Sequence, residues 1–498
     1  MTNHPIVRYV LSEKVFIPVL IFGAVFSVYF PVLFHAFGSM DDYLFLMHKR
    51  YDRFPFSLLA AGRPLNSLLI YTGFSWAGTV ENLAFLRGCT LLGIGIFCYG
   101  LYRFSRSHHL GATPSLIMAL GVISLPSFQV YAAWAQHFST PYAGNLALLA
   151  AFVLSPACPL RTRSRLFAIC ASSLAFMLAL LIYQPVAMFF LTGIFLSILA
   201  GERGGSPWKA DRYLDAFLSF IISMSGAWAA LKIGAGFFAP AAERPRYHIV
   251  SDYWGKIVWF LSEPLAMSSS LYFVPRNNFV IFCVALLALL GLGIIVNRDK
   301  FARALFFLLL AIICIFGSYF PNLATSENWA TYRSIGALSA GIWIALVFIA
   351  MEIGQFINTL GFKYLALRKL SYGLALLILP LVFIQAHQYV LHGFVLHSVQ
   401  EFGNLYKEIE KNRLNLNHNN TGIIIFPSKW NEAAAHPRAE EFGVPSSFSG
   451  NNARAMTHLA LIQAGLPWDR TIMIGDKNQQ NIPMNMIRLN FTDFLIGP

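Results

Sequence analysis

Long apolar stretches recur along almost the whole chain and are separated by short polar segments. A stretch of about 18 or more apolar residues is long enough to cross roughly 30 Å of hydrocarbon as a helix. About eleven such stretches are present. They lie near 15–38, 84–102, 113–134, 141–156, 166–183, 185–200, 213–236, 277–296, 304–321, 334–351 and 371–386. The pattern therefore predicts a polytopic α-helical membrane protein with about 11 transmembrane helices.

The polar segments between these stretches alternate in charge. Loops rich in lysine and arginine stay on the cytoplasmic side of a membrane, so this alternation orients the spans. Every second loop is basic, through Arg103, Arg106, Arg161, Arg163, Arg165, Arg203, Lys209, Arg212, Arg298, Lys300, Arg303, Lys363, Arg368 and Lys369. Together with Arg8 and Lys14, the pattern predicts a cytoplasmic N-terminus. An odd number of spans then places the C-terminal segment on the outer face.

The last part of the chain changes character and carries short elements of both kinds. The run TGIIIFP predicts a buried strand, RTIMIGD a second strand, and ARAMTHLALIQAGL an amphipathic helix closed by a glycine. We therefore expect two parts. Residues 1–386 would form the transmembrane part, with a first outer loop at 39–83, and residues 387–498 a small C-terminal α/β domain outside the cytoplasm.

The composition supports a membrane protein and excludes several other classes. Hydrophobic residues make up 57% of the chain and charged residues 12%, whereas a soluble domain is about a quarter charged. The net charge of +13 is explained by the basic loops, and no basic cluster mixed with aromatic residues indicates nucleic-acid binding. All six cysteines lie in or beside apolar spans, so neither a disulfide framework nor a zinc site is predicted.

An adjacent acidic pair, Asp41 and Asp42, follows the first span directly. Such a pair can simply begin a helix, since aspartate is favoured at helix starts. The same outer loop, however, is unusually basic for its side of the membrane. Its basic residues are Lys49, Arg50, Arg53 and Arg63. Arginine matches phosphate oxygens, so a phosphate at the membrane surface is the expected ligand, and attraction to lipid headgroups is the alternative.

Carboxylates beside a phosphate-binding surface suit glycosyl transfer from a lipid-phosphate sugar. The acceptor hydroxyl must lose a proton as it attacks the anomeric carbon, and a carboxylate can take that proton. The sugar passes through an oxocarbenium-like state, and the leaving phosphate needs cationic stabilisation. A single displacement of this kind inverts the anomeric centre. The two carboxylates could instead bind a divalent cation, so the use of a metal stays open.

Two runs in the sequence resemble a known enzyme family. DDYLFLMHKRYDRFPFSLLAAGRPL, after the first span, and SENWATYRSIGAL, before a late span, are similar to runs in the bacterial type II glucosyltransferases that modify O-antigen in serotype conversion. The layout of an acidic pair after the first span, many spans and a C-terminal exterior domain resembles the wider GT-C class of polyprenyl-phosphate-sugar-dependent glycosyltransferases.

The resemblance implies a GT-C-like fold and a specific reaction. A hexose, expected to be glucose, would pass from undecaprenyl phosphate to a cell-surface glycan such as the O-antigen of lipopolysaccharide. The reaction would take place on the periplasmic face of the bacterial inner membrane. Either Asp41 or Asp42 would be the catalytic base, and Arg63 of the GRP motif would belong to the same site.

Further candidates for substrate binding lie at the expected outer ends of the spans and in the outer loops. They are Arg50, Gln136, His137, Tyr183, Gln184, Arg244, Arg246, Glu327, Tyr332 and Arg333. Polar residues at span ends often only satisfy the interface, and the loop 237–276 is either a solvated surface or a mobile loop that closes on the donor. Arg333 is the one basic residue of its short loop, which favours contact with phosphate.

Two other functions stay open at this point. A flippase or transporter for lipid-linked sugars would carry ionisable residues near the centres of its spans, and this sequence is poor in them. A glycan polymerase or ligase would depend on the larger outer loop 237–276 rather than on the acidic pair.

Overall fold

The computed structural model describes residues 13–50, 54–160, 164–203, 208–238, 248–298, 301–359, 364–417, 422–429, 439–469, 471–475 and 486–495. The candidates Arg244 and Arg246 lie outside these residues. The side chain of Arg50 also lies outside the described part, although its backbone ends a helix.

Helices make up most of the described chain. The first half contains α1 (Glu13–Tyr29), α2 (Pro31–Phe34), α3 (Asp41–Arg50), α4 (Phe56–Ala60), α5 (Pro64–Ala77), α6 (Leu83–Ser107), α7 (Ala112–Ile123), α8 (Pro126–Ala133), a 3₁₀ turn (Ala135–His137), α9 (Thr140–Leu154), α10 (Arg165–Ile182), α11 (Gln184–Ala187), α12 (Phe189–Arg203) and α13 (Ala210–Phe238).

The second half continues the helices and adds a small sheet. It contains α14 (Tyr253–Ser262), α15 (Pro264–Ser269), α16 (Asn278–Arg298), α17 (Phe301–Gly317), α18 (Phe320–Leu323), a 3₁₀ turn (Tyr332–Ser334), α19 (Gly336–Thr359), α20 (Tyr364–Val390), a π turn (Leu391–Leu396), α21 (His397–Lys411), α22 (Arg413–Asn417), β1 (Gly422–Phe426), α23 (Gly450–Gln463), β2 (Ile472–Ile474), β3 (Met486–Asn490) and α24 (Thr492–Leu495).

Several helices are long and apolar enough to cross a membrane. Within the described residues there are seven by length and composition, or eight if the bent pair α7–α8 is one span. The seven are Leu83–Ser107, Arg165–Ile182, Gln184–Gly201, Ala210–Ile233, Asn278–Ile295, Gly336–Ile357 and Leu377–Lys411. The chain is thus a mostly helical, multi-pass membrane protein. Helices of 17, 15 and 17 residues occupy the remaining predicted spans, so the total of about eleven stays a prediction.

Prolines change two of the predicted spans. The span predicted for 15–38 ends as a helix at Tyr29, and Pro31 begins a separate short helix, since proline cannot continue the hydrogen bonding of the preceding turn. The span predicted for 113–134 is bent by 53°. Leu125, which precedes Pro126, has an extended backbone, as the ring of a following proline requires. The two breaks are in contact, because the hydroxyl of Tyr29 donates to the carbonyl of Ile123.

Four irregular segments, residues 35–42, 134–140, 183–184 and 331–335, are together called the site end here. A buried apolar cluster lies beneath it, including Met40, Trp134, Tyr332, Phe394 and Phe442. Because these residues come from five distant parts of the chain, burial of their apolar surface holds the site end together.

The C-terminal segment packs against the first loop rather than standing apart. The predicted helix and both predicted strands are confirmed as α23, β1 and β2, and β3 was not predicted. The three strands form a parallel sheet in the order β2-β1-β3, and α21, α23 and the strands share a buried cluster with α3 and α5. The predicted boundary at residue 387 falls within a helix that continues as far as Lys411.

Candidate functional site

Asp42 is a buried structural carboxylate in this fold. Its side chain is 0% exposed, and Oδ2 accepts the backbone N–H groups of Ser39 and Ala135 at 3.0 and 3.1 Å. Oδ1 accepts the backbone N–H of Gln136 at 2.9 Å. One carboxylate therefore satisfies donors at the start of α3 and in the 135–137 turn, groups that would otherwise be left unpaired.

A buried arginine completes this arrangement. Nη2 of Arg87 lies 3.6 Å from Oδ2 of Asp42, and both side chains are 0% exposed. The same guanidinium donates to the carbonyls of Phe37 and Ala133 at 2.7 and 2.9 Å. Burial raises the pKa of Asp42 to about 6, while Arg87 and the three N–H donors act in the opposite direction. Arg87 and Asp42 together tie the acidic-pair loop to the end of α8.

Asp41, in contrast, is the first residue of α3 and is partly exposed. The residue before it, Met40, has a left-handed backbone with φ of 46°, which is uncommon for a residue with a side chain. Its N–H donates to Oγ of Ser446 at 3.2 Å. The backbone is thus held on both sides of Asp41, while Asp41 itself stays partly exposed.

His137 follows Gln136, whose N–H is bound by Asp42. It lies at the centre of a group of aromatic side chains. Its ring packs 5.6 Å from Trp134, 5.7 Å from Tyr131 and 5.6 Å from Tyr183. Nδ1 is 3.0 Å from Oγ1 of Thr140, while the buried Nε2 has no hydrogen-bond partner within the described chain. Burial, and then Arg333 and Arg63, hold the pKa of His137 well below its usual value. The imidazole is therefore neutral.

Arg63 reaches this group from the first loop. Its Nε donates to Oε1 of Gln184 at 2.9 Å, and its guanidinium lies 4.6 Å from the ring of Tyr183. Gln184 donates in turn to the carbonyl of Gly62 at 2.7 Å. These contacts join α5 to the turn between α10 and α11, and so bring three predicted residues together.

Arg333, from the second half of the chain, contacts the same aromatic group around His137. Its guanidinium lies 5.1 Å from the ring of Trp134 and 5.6 Å from that of Trp329. Its Nε is 3.7 Å from Oε1 of Glu441, and the Arg333 side chain keeps 23% exposure. Two arginines therefore converge on a neutral histidine, Arg63 by way of Tyr183 and Arg333 by way of Trp134.

The structure separates the other predicted candidates into different roles. Gln136 contributes its backbone N–H to Asp42. Tyr332 is 2% exposed and packs edge-on against Phe442 at 5.3 Å, so it fills the buried cluster. The backbone carbonyl of Glu327 accepts from Nζ of Lys256 at 2.7 Å. Within the described residues, the side chains of Tyr332 and Glu327 make no hydrogen bond, ion pair or cation–π contact with Arg63 or Arg333.

Sequence reasoning missed three residues of this site. Arg87 had a usable signal, because a charge inside an apolar span marks a functional or structural partner. Trp134 and Glu441 had none, since the first looks like an ordinary span-end aromatic and the second lies in a polar tail.

The acidic pair does not fit a two-carboxylate metal site. The oxygens of Asp42 already accept three N–H groups beside Arg87, whereas a cation needs several free oxygens. Across the described residues, no group of three or more His, Cys, Asp and Glu side chains is placed to hold a metal.

Comparisons with known proteins give one weak structural similarity and no match to a protein family. No family model matches the chain, and no curated protein matches it. Among solved structures it is similar to the oligosaccharyltransferase AglB from the archaeon Archaeoglobus fulgidus, in complex with an inhibitory peptide and a dolichol-phosphate. The two share 11% identity at a TM-score of 0.41, over 90% of this chain and 68% of that one. This likeness is too weak to establish a shared fold or activity.

Proposed function

We propose that this protein is a membrane glycosyltransferase that takes a sugar from a lipid-phosphate donor, with Asp41 as the general base. One observation supports this most. The partly exposed Asp41 is adjacent to the buried Asp42. Asp42 binds the N–H of Gln136, and the next residue, His137, lies near both Arg63 and Arg333. An accessible carboxylate and a pair of phosphate-binding cations are the two parts that this reaction needs.

In the proposed reaction, Asp41 accepts the proton of an acceptor hydroxyl as its oxygen attacks the anomeric carbon. The bond between that carbon and the phosphate oxygen breaks, and the lipid phosphate leaves with the electron pair. Arg63 and Arg333 stabilise the negative charge on the leaving phosphate. Attack from the face opposite the phosphate inverts the anomeric centre. Asp42 does not touch the substrate and instead positions the loop that carries Asp41.

The finer features of the proposal follow from the resemblance of the two sequence runs. They are transfer of a hexose, with glucose expected, from undecaprenyl phosphate to O-antigen, on the periplasmic face of a bacterial inner membrane. The two runs carry Asp41, Arg63 and Arg333, the residues to which this proposal gives the chemical roles.

The proposal is tested by Asp41→Asn in membranes supplied with labelled undecaprenyl-phosphate glucose and acceptor glycan. Loss of a general base is expected to lower transfer about 10²- to 10⁴-fold, while the amount of inserted protein and its thermal unfolding stay those of the wild type. Mass analysis of the glycan should show one added hexose, with no change of chain length.

Asp252→Asn is a matched control for the simpler explanation that Asp41 only begins a helix. Asp252 caps α14, accepting the N–H of Gly255 at 2.9 Å, and it lies outside the site. It should retain full transfer. Wild-type activity in Asp41→Asn, or uptake of donor into vesicles with no covalent product, would reject the proposed role and favour a transporter.

A further inference from the structure

One loop of the C-terminal segment forms hydrogen bonds both to the backbone next to Asp41 and to the backbone at Arg333. The loop 439–448, called the clasp here, contacts the arginine side through Glu441 and the acidic-pair side through Ser446. Oγ of Ser446 accepts the N–H of Met40 at 3.2 Å. The N–H of Ser446 donates in turn to the buried Glu401 at 2.8 Å. Neither contact involves the α/β sheet.

Glu441 contacts the segment that carries Arg333 with both of its carboxylate oxygens. Oε2 accepts the N–H of Tyr332 at 3.0 Å, and Oε1 accepts the N–H of Arg333 at 3.4 Å. Oε1 also lies 3.7 Å from Nε of Arg333, and the Glu441 side chain is 3% exposed. A buried carboxylate is costly unless it is paired, so this one is held in place by the backbone and the guanidinium together.

The clasp packs into the buried cluster beneath the site end through Phe442. Phe442 packs against Tyr332 and Phe394, with ring centroids at 5.3 and 4.7 Å. The N–H of Gly443 donates to the carbonyl of Gly393 at 2.9 Å. Because Phe442 is fixed on two sides, the clasp fixes the backbone from which the Glu441 carboxylate reaches the N–H groups of Tyr332 and Arg333.

We propose that Glu441 is a positioning residue that aims Arg333 at the phosphate of the lipid donor, an inference that rests on the proposed function. Arg333 is held at Nε by Glu441 and flanked by two indole rings. A guanidinium restrained in this way presents its terminal nitrogens as a preorganised fork for a phosphate. The C-terminal segment is thereby part of the donor site.

A purely structural role for Glu441 predicts a different result. A cap for two N–H groups would change the stability of the protein but not the affinity of its folded form for phosphate. The discriminating measurement is therefore ligand affinity, made with stability recorded separately.

The experiment uses the full-length protein in detergent, with farnesyl phosphate as the probe. For Glu441→Gln we expect the Kd to rise roughly tenfold, and in the transfer assay a similar rise in donor KM with kcat changed less than about twofold. Glu441→Asp, which keeps the charge, should recover most of the affinity.

Asp215→Asn is the matched control. Asp215 is also a buried carboxylate paired with an arginine, at 2.7 Å from Nη2 of Arg165. Arg165 begins α10, whose 18 residues put it roughly 27 Å from Tyr183. This variant should bind farnesyl phosphate as the wild type does.

The outcomes distinguish the two proposals. Weaker binding in Glu441→Gln with normal binding in Asp215→Asn supports the positioning role. Lower stability with unchanged Kd, or loss of binding in Arg333→Gln but not in Glu441→Gln, overturns it and leaves the proposed function intact. Failure of the wild type to bind farnesyl phosphate overturns the phosphate site and the positioning role together.

Discussion

The two acid–arginine pairs at the site end differ in how completely they are enclosed. Asp42 and Arg87 are both 0% exposed and lie 3.6 Å apart. Glu441 is 3% exposed, but its partner Arg333 keeps 23% exposure at 3.7 Å. A closed pair has no access to a ligand and can only hold the backbone, whereas an arginine at the surface can exchange or share its anion. One end of the molecule thus holds a buried structural pair and, beside it, the pair that we propose to bind phosphate.

Removal of the arginine from the closed pair is expected to have the largest effect. Arg87→Met leaves Asp42 as a buried charge without a cation, which costs about 3–5 kcal/mol in known cases. We expect a large drop in thermal stability and a parallel loss of transfer. A stable Arg87→Met protein with normal activity would show that the pair does not hold the site.

The closed pair should also make stability depend on pH, with a somewhat smaller effect. The pKa of Asp42 is about 6 when folded, against 3.8 as the ordinary value, so the folded state binds the proton more tightly. The contribution of Asp42 to the free energy of unfolding is therefore greatest below pH 4. It falls as the pH rises towards 6 and is constant above that, and the total decrease is at most about 3 kcal/mol.

Thermal unfolding from pH 4 to pH 8, compared with Asp42→Asn, measures this dependence. The wild type should lose stability relative to the variant as the pH rises through that window. In Arg87→Met the decline should extend to higher pH, because Arg87 lowers the pKa of Asp42. A difference that grows in favour of the wild type as the pH rises would contradict the assignment.

Loss of Arg333 from the partly exposed pair with Glu441 should change stability least and should specifically weaken binding of the donor. Arg333→Gln is expected to raise donor KM roughly tenfold, equivalent to about 1.4 kcal/mol, because one phosphate contact is lost. Since Arg333 is partly exposed, the free energy of unfolding should change by less than about 1 kcal/mol. Equal losses of stability in Arg333→Gln and Arg87→Met would erase the distinction between the two pairs.

Much of the helical framework could be predicted from the sequence because a bilayer imposes a simple length and polarity rule. The strands β1 and β2 and the helix α23 were also predictable, since their apolar runs are bounded by turn residues. The bend between α7 and α8 was not predicted, although Pro126 carried a usable signal. The third strand, Met486–Asn490, has only a weak apolar pattern and depends on pairing with β1.

By itself the sequence determined that this is a multi-pass helical protein and that Asp41, Arg63, His137 and Arg333 were worth attention, because charge and polarity near span ends are local properties. Only the tertiary structure distinguished the buried Asp42 from the partly exposed Asp41. Neighbours on a helix point roughly 100° apart, so the packing of α3 on the 135–137 turn buries one carboxylate and leaves the other accessible. The partners that decide this, Arg87 and the clasp, are remote in sequence and meet the acidic-pair loop only when the chain is folded.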